Sequence, residues 1–152
     1  MSKLDLQNGI IKNSRGLVYK VENGQRFFLL TQELDGIYTL PGGCKDLDDV
    51  DSLSAMQREI KEELNLNTTD YEIRGSDIQK TYQNVYPDPT SERFGKDTII
   101  CLFLIQCIDS QSIKLSDDIK SFQWFNEIDA LKSLTTNHMK EMFRLGMELL
   151  QK

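Results

Sequence analysis

Residues Pro41 to Leu66 read PGGCKDLDDVDSLSAMQREIKEELNL, and this stretch decides both fold and chemistry. Leu53, Met56, Ile60 and Leu64 recur at helical spacing, which predicts a helix from about Ser52 to Leu64 with that stripe facing a core. Asp51 is well placed as the N-cap. Asn65 suits the stop, because asparagine tolerates the left-handed conformation that ends helices. On a neighbouring face Glu59, Glu62 and Glu63 stand at i, i+3 and i+4. Like charges at that spacing cost an isolated helix about 0.2–0.5 kcal/mol per pair, so three together make best sense if a cation collects them. Oxygen donors without a nearby His or Cys suit a hard ion, Mg²⁺ or Mn²⁺. Taken alone, REIKEEL also reads as a solvated face balanced by Arg58 and Lys61. The preceding segment shifts the reading. Gly42 and Gly43 after Pro41 allow a tight turn and close backbone approach, and the acidic loop Lys45–Asp51 brings further carboxylates to the same helix.

Outward from this stretch, strand and helix signals mix. Gly16–Val21 and Phe27–Gln32 read as strands joined at Glu22-Asn23-Gly24-Gln25, where the Asn-Gly step predicts a hairpin turn. Ile37–Leu40 is a brief strand halted by Pro41-Gly42-Gly43. Tyr71–Tyr82 is ambiguous, with a strand as its candidate reading, and Tyr86–Gly95 reads as a loop. Thr98–Ile108 is nearly continuous in apolar residues, as a strand buried on both faces would be. Phe122–Phe125 predicts a short strand and Glu127–Leu134 a short helix. Asn137–Gln151 carries Met139, Met142, Phe143, Gly146, Leu149 and Leu150 at helical spacing, a stripe that packs against the sheet or serves as a partner groove. The expected fold class is α/β, a mixed sheet between helices in one domain spanning the 152 residues.

Composition excludes several classes. No apolar run approaches the roughly 18–20 residues that cross a bilayer. The N-terminal MSKLDLQNGIIK lacks the apolar core of a signal peptide, so a cytoplasmic location without membrane attachment is expected. Three cysteines without a CxxC pair argue against a disulfide framework or a structural zinc. A single histidine, His138, removes most His-based chemistry. A net charge of −6 argues against broad nucleic-acid binding. It leaves room for a phosphorylated small molecule held through divalent cations.

The box resembles the signature of the Nudix hydrolases: a Gly, five residues, a Glu, seven residues, then Arg-Glu-apolar-x-Glu-Glu-x-Gly-apolar. Gly43 opens the motif here, and Arg58, Glu59, Ile60, Glu62, Glu63 and Leu66 fill its second half in register. The first Glu is missing. Counting forward from Gly43 gives Asp49 and back from Arg58 gives Val50, so the loop holds one extra residue and Asp49 is the expected substitute. Asn65 replaces the last Gly. Asp46 and Asp48 stand where relatives often carry Glu and Gly.

The resemblance implies a Nudix-type α/β/α sandwich and a Mg²⁺-dependent pyrophosphohydrolase acting on a small-molecule nucleotide polyphosphate. Glu59, Glu62 and Glu63 would hold the metal with the carbonyl of Gly42 and with Asp49. Glu59 would also serve as general base, a role relatives do not all give to the same glutamate, and Arg58 would orient the carboxylates. Asp118, six residues before Trp124, matches a distant acid that many relatives add; a charged turn is the plainer reading. Trp124 is expected in the core or a pocket wall. Among substrates, the pattern KLSDDIKSFQWF and a tyrosine past the box look most like the asymmetric dinucleoside tetraphosphate hydrolases. Tyr82 lies at that spacing, with Tyr86 close behind, and would stack on an adenine or bury its hydroxyl in a turn. Removal of pyrophosphate from an RNA 5′ end, cleansing of nucleoside triphosphates, and a Nudix domain that binds without catalysing stay open, as does the oligomeric state. The loop Tyr82–Gly95 is a natural lid.

Overall fold

The computed structural model describes residues 4–6 and 9–151. The reading of the N-terminal dozen therefore falls partly, at residues 1–3 and 7–8, outside the described residues. Strands β1 (Ile10–Glu22) and β2 (Gln25–Glu33) form the hairpin. Asn23 and Gly24 both take positive φ, +53° and +78°, as the tight turn requires, and Glu22 pairs with Gln25. Strand β6 (Asp97–Cys107) lies parallel to β1 from Ile10 to Tyr19, and β5 (Tyr71–Tyr82) is antiparallel to β6, so the sheet is mixed.

The hairpin opens like a wedge. Beyond Tyr19 and Phe28 the two strands part. The edge given up by β1 is taken by β4 (Gly42–Cys44), and that given up by β2 by β3 (Tyr38–Thr39). Strand β7 (Ile119–Phe125) runs along the other side of β2. The Pro41-Gly42-Gly43 segment was read as a tight turn with close backbone approach; Gly42 and Gly43 moreover enter the sheet, because the wedge leaves β1 a free edge opposite β6.

Alternation along the central strands splits the core in two. Val18, Leu29, Phe103 and Ile105 face α1 (Ser52–Leu64), where Met56, Ile60 and Leu64 are buried. Leu17, Phe28, Leu30, Leu102 and Leu104 face α2 (Glu127–Ser133) and α3 (Asn137–Leu150). Helices thus cover both faces, as an α/β sandwich requires. Leu53 corrects the predicted stripe: it is 40% exposed, and Ala55 is buried in its place. The α3 stripe meets the sheet through Met139, Met142, Phe143 and Gly146. A Cβ on Gly146 would come within 2.7 Å of Leu17 and 2.9 Å of Leu102 side chains, so the glycine sets how closely α3 approaches. Trp124 is half-buried against the α1-side cluster, with Lys20 Nζ 4.5 Å from its ring centre.

Candidate active site

The site is built where the wedge opens. Gly42 has φ +143°, and a Cβ there would lie 2.0 Å from the Ser14 carbonyl oxygen and 2.9 Å from Arg15 Cα. A Cβ on Gly43 would lie 2.5 Å from Glu59 Oε1. Two glycines thus let β4 press against β1 on one side and against a glutamate of α1 on the other. The Gly42 N–H donates to Glu63 Oε1 at 2.9 Å. Among the described residues Gly42 thus meets a glutamate through its amide, whereas the sequence singled out its carbonyl as a metal ligand.

Helix α1 is held at both ends. Asp51 accepts from the Ser54 N–H at 2.8 Å, and Asn65 takes the left-handed conformation at φ 57°. Beyond the stop, Lys114 N–H donates to Leu64 O and Ser116 N–H to Glu63 O, so the segment before β7 satisfies the last carbonyls of the helix.

Arg58 is the hub of the carboxylates. It donates through Nε and Nη2 to Asp49, through Nη1 to Glu59 Oε1 (3.2 Å) and Glu62 Oε2 (3.0 Å), and through Nη2 to the Cys44 carbonyl (3.0 Å). Asp49 also accepts from the Asp46 N–H at 2.8 Å. Both Asp49 oxygens are therefore engaged, and its side chain is 6% exposed. Burial raises the Asp49 pKa, but Arg58 and the Asp46 amide outweigh it and hold the carboxyl below its ordinary value. The structure places Asp49 as a brace for Arg58. Among the described residues no three His, Cys, Asp or Glu side chains are grouped so as to hold a metal ion; Glu59 and Glu62 are turned to Arg58 instead.

Glu63 differs. It forms no ion pair among the described residues, and burial, only partly offset by the Arg15 charge and the Gly42 amide, pushes its pKa up to about 8. Burial also raises Glu59, against the pull of Arg58. Two buried carboxylates whose charge is poorly compensated, with oxygen-only donors around them, fit a hard divalent cation. Glu59 and Glu63 would hold it, and Glu62 would join on leaving Arg58.

Two openings share Glu33 and Asp35 as lining, and one of them reaches Glu63. A groove of about 420 Å³ is lined by Glu33, Asp35, Glu63 and Asp118, so the exposed Asp118 does share a surface with one of the α1 glutamates. A second pocket of about 250 Å³, on the α3 side, is lined by Arg15, Glu33, Asp35, Thr39, Tyr86 and His138 among others. Tyr82 does not line it. As the last residue of β5 it turns to α3, bonding Glu141 and lying 5.5 Å from the His138 ring. Tyr86 is the pocket aromatic. Its hydroxyl is 3.3 Å from Asn13 Nδ2 and 3.3 Å from Cys44 Sγ, and the Arg93 guanidinium lies 5.6 Å from its ring centre. Burial and Arg15 both lower the His138 pKa.

Arg15 and His138 were missed as site residues. Arg15 precedes the apolar run read as a strand, and nothing in its neighbours marks a buried charge. His138 is brought in only by the docking of α3.

Residues 13–146 match the NUDIX domain family model. The chain belongs to the Nudix family. It has the Nudix fold and is a pyrophosphohydrolase of nucleotide derivatives. Nudix hydrolases generally use a divalent metal, typically Mg²⁺. Among solved structures, the C. elegans Ap4A hydrolase in a binary complex is similar at 24% identity, TM-score 0.76, covering 93% of this chain and 98% of that one. A second structure of that enzyme gives 25% identity and a TM-score of 0.71 with the same coverage. The E. coli dihydroneopterin triphosphate pyrophosphohydrolase is similar at 11% identity and TM-score 0.74, covering 88% of this chain and 92% of the other, a likeness of fold alone. No curated protein matches the chain. Among the described residues no helix is long and apolar enough to cross a membrane.

Proposed function

We propose that this Nudix hydrolase, one domain working in the cytoplasm, cleaves a dinucleoside polyphosphate such as diadenosine tetraphosphate. The observation that carries the reading is a pair of openings that share Glu33 and Asp35, one reaching Glu63 and the other Arg15 and Tyr86, which suits a substrate with a group on either side of its phosphate chain. The likeness to Ap4A hydrolase over nearly the whole of both chains supports it. Glu59, Glu62 and Glu63, with Asp118 near Glu63, would hold Mg²⁺ or Mn²⁺, which would neutralise phosphate oxygens and make a bound water more acidic. Glu59, with its proton affinity raised by burial, takes the proton from the attacking water. Arg58 orients Glu59 and Glu62, and Asp49 orients Arg58. Tyr86 forms the aromatic wall for a base, and Tyr82 backs the pocket through His138.

Incubation of the purified chain with Mg²⁺ and, separately, diadenosine tetraphosphate, ADP-ribose, nucleoside triphosphates and a 5′-triphosphorylated RNA tests this by product chromatography. Conversion of the first into ATP and AMP is expected. Turnover of another substrate alone would replace the substrate assignment. Silence across the set would favour a binding role.

A further inference from the structure

Arg15 is 9% exposed and lines the pocket on the α3 side. A buried guanidinium normally has a carboxylate partner, because an uncompensated charge in a low dielectric is costly. Arg15 forms no ion pair among the described residues. Its partners are neutral: Nε donates to Asn13 Oδ1 at 2.8 Å, and Nη1 donates to Thr39 Oγ1 at 3.3 Å and to the Leu40 carbonyl at 2.9 Å. Those three bonds fix the plane of the guanidinium and leave Nη2 with no partner among the described residues. Asn13 is itself anchored, lying within hydrogen-bond reach of the Tyr86 hydroxyl.

The position is central. Arg15 pairs with Gly42 across the β1–β4 ladder, and its charge acts on Glu59 and Glu63 on one side and on Tyr86 and His138 on the other. It therefore stands between the carboxylate cluster and the pocket. A fixed guanidinium with one free edge is suited to a phosphoryl oxygen.

We propose that Arg15 is a substrate-binding residue whose Nη2 holds a non-bridging oxygen of the phosphoryl group on the pocket side of the scissile anhydride. The assignment rests on the reading of this site as a pyrophosphohydrolase but not on which nucleotide is cleaved. Arg15 supplies from the protein a positive charge opposite to the side where cations gather, so the phosphate chain is gripped from both. Its Nε bond to Asn13 and Nη1 bond to Thr39 keep it in place before substrate arrives, which spares the ordering of a flexible side chain on binding.

The test uses methylenediphosphonate, a pyrophosphate analogue that cannot be hydrolysed, and Mn²⁺ as a separate probe of the carboxylates. Both are titrated into the wild-type chain and into Arg15→Gln, with a thermal melt of each. The diphosphonate, measured in the presence of Mg²⁺, is expected to bind the variant roughly ten- to a hundredfold more weakly. Mn²⁺ alone is expected to bind it more tightly, because a positive charge beside Glu59 and Glu63 has gone. Opposite movements of the two affinities distinguish a charge that meets the substrate from one that merely supports the fold. If both affinities fall together, or the diphosphonate affinity does not change, the proposal is overturned. Should Arg15→Gln fail to fold, Arg15→Lys keeps the charge but loses the fork: weakened diphosphonate binding with Mn²⁺ affinity retained is expected, and undiminished diphosphonate binding would overturn it. Neither probe carries a nucleoside, so failure to cleave diadenosine tetraphosphate leaves this result unaffected.

Discussion

Gly42 and Gly43 are neighbours whose side chains are forbidden by different things. A methyl on Gly42 meets the backbone of Ser14 and Arg15, and its φ of +143° adds strain that costs about 1–3 kcal/mol in other proteins. A methyl on Gly43 meets a side-chain carboxylate, that of Glu59, which can move. Gly42→Ala is therefore expected to lower the melting temperature sharply or prevent folding. Gly43→Ala should keep most of the stability while displacing Glu59 and cutting turnover at least tenfold, roughly 1.4 kcal/mol of barrier; melting and steady-state rates of the two variants check this, and equal stability would refute it. Glu62 gives a complementary case. Its side chain is 56% exposed and its i, i+4 contact with Arg58 is a surface pair worth little. Glu62→Gln should leave the melt nearly unchanged and lower turnover by about two orders of magnitude or more. A generic acidic helix face would lose nothing.

At the scale of elements, the loop between β4 and α1 and the helix itself form one device. Asp51 caps the helix, Asp49 grips Arg58 from the loop, and Arg58 in turn holds Glu59 and Glu62. Asp49→Ala leaves the Arg58 charge to those two glutamates and to Asp46, 3.6 Å away, so that it competes more strongly with a cation at Glu59 and Glu62. The expected result is a several-fold rise in the Mg²⁺ concentration needed for half-maximal activity, with a stability loss of about 1–3 kcal/mol from the missing charge-assisted bonds. An unchanged Mg²⁺ requirement would mean that Asp49 only closes the loop. The device also explains how the motif tolerates an extra loop residue: what the helix needs from the loop is a carboxylate at Arg58, and Asp49 delivers it.

Across the whole molecule, the site is set against stability. Glu63 has a folded pKa of about 8 against an ordinary 4.5, mainly through burial. The native state therefore binds this proton more tightly than the unfolded chain, so the contribution is fully present below pH 4.5 and lost as pH rises through about 8. Each unit of such a shift corresponds to about 1.4 kcal/mol. In protein freed of divalent ions by chelation, Glu63→Gln is expected to melt higher than wild type at pH 8 and to lose most of that advantage at pH 5. Added Mg²⁺ should raise the wild-type melting temperature at pH 8 more than that of the variant, by binding linkage. A difference between the two proteins that does not vary with pH would show that Glu63 is not held in this way.

Local rules decided much of this before any tertiary contact. The α1 limits, its Asp51 cap and Asn65 stop, the Asn-Gly turn and the two-sided burial of β6 follow from short-range sterics, hydrogen bonding and periodicity, which the chain carries in each segment. The glutamate triplet was legible for the same reason, since helical spacing alone gathers its members. Tertiary structure decided the rest. The ambiguous β5 became a strand because β6 offered it an edge. Gly42 and Gly43 became β4 because β1 and β2 diverge. Leu53 lost its place in the core because α1 lies rotated toward Ala55. Tyr86 rather than Tyr82 lines the pocket, and Arg15 and His138 meet there, because a strand, a loop and a helix far apart in sequence converge on one face of the sheet. No local pattern encodes such a meeting: it depends on which faces the elements bury, and that is settled only when the two cores form.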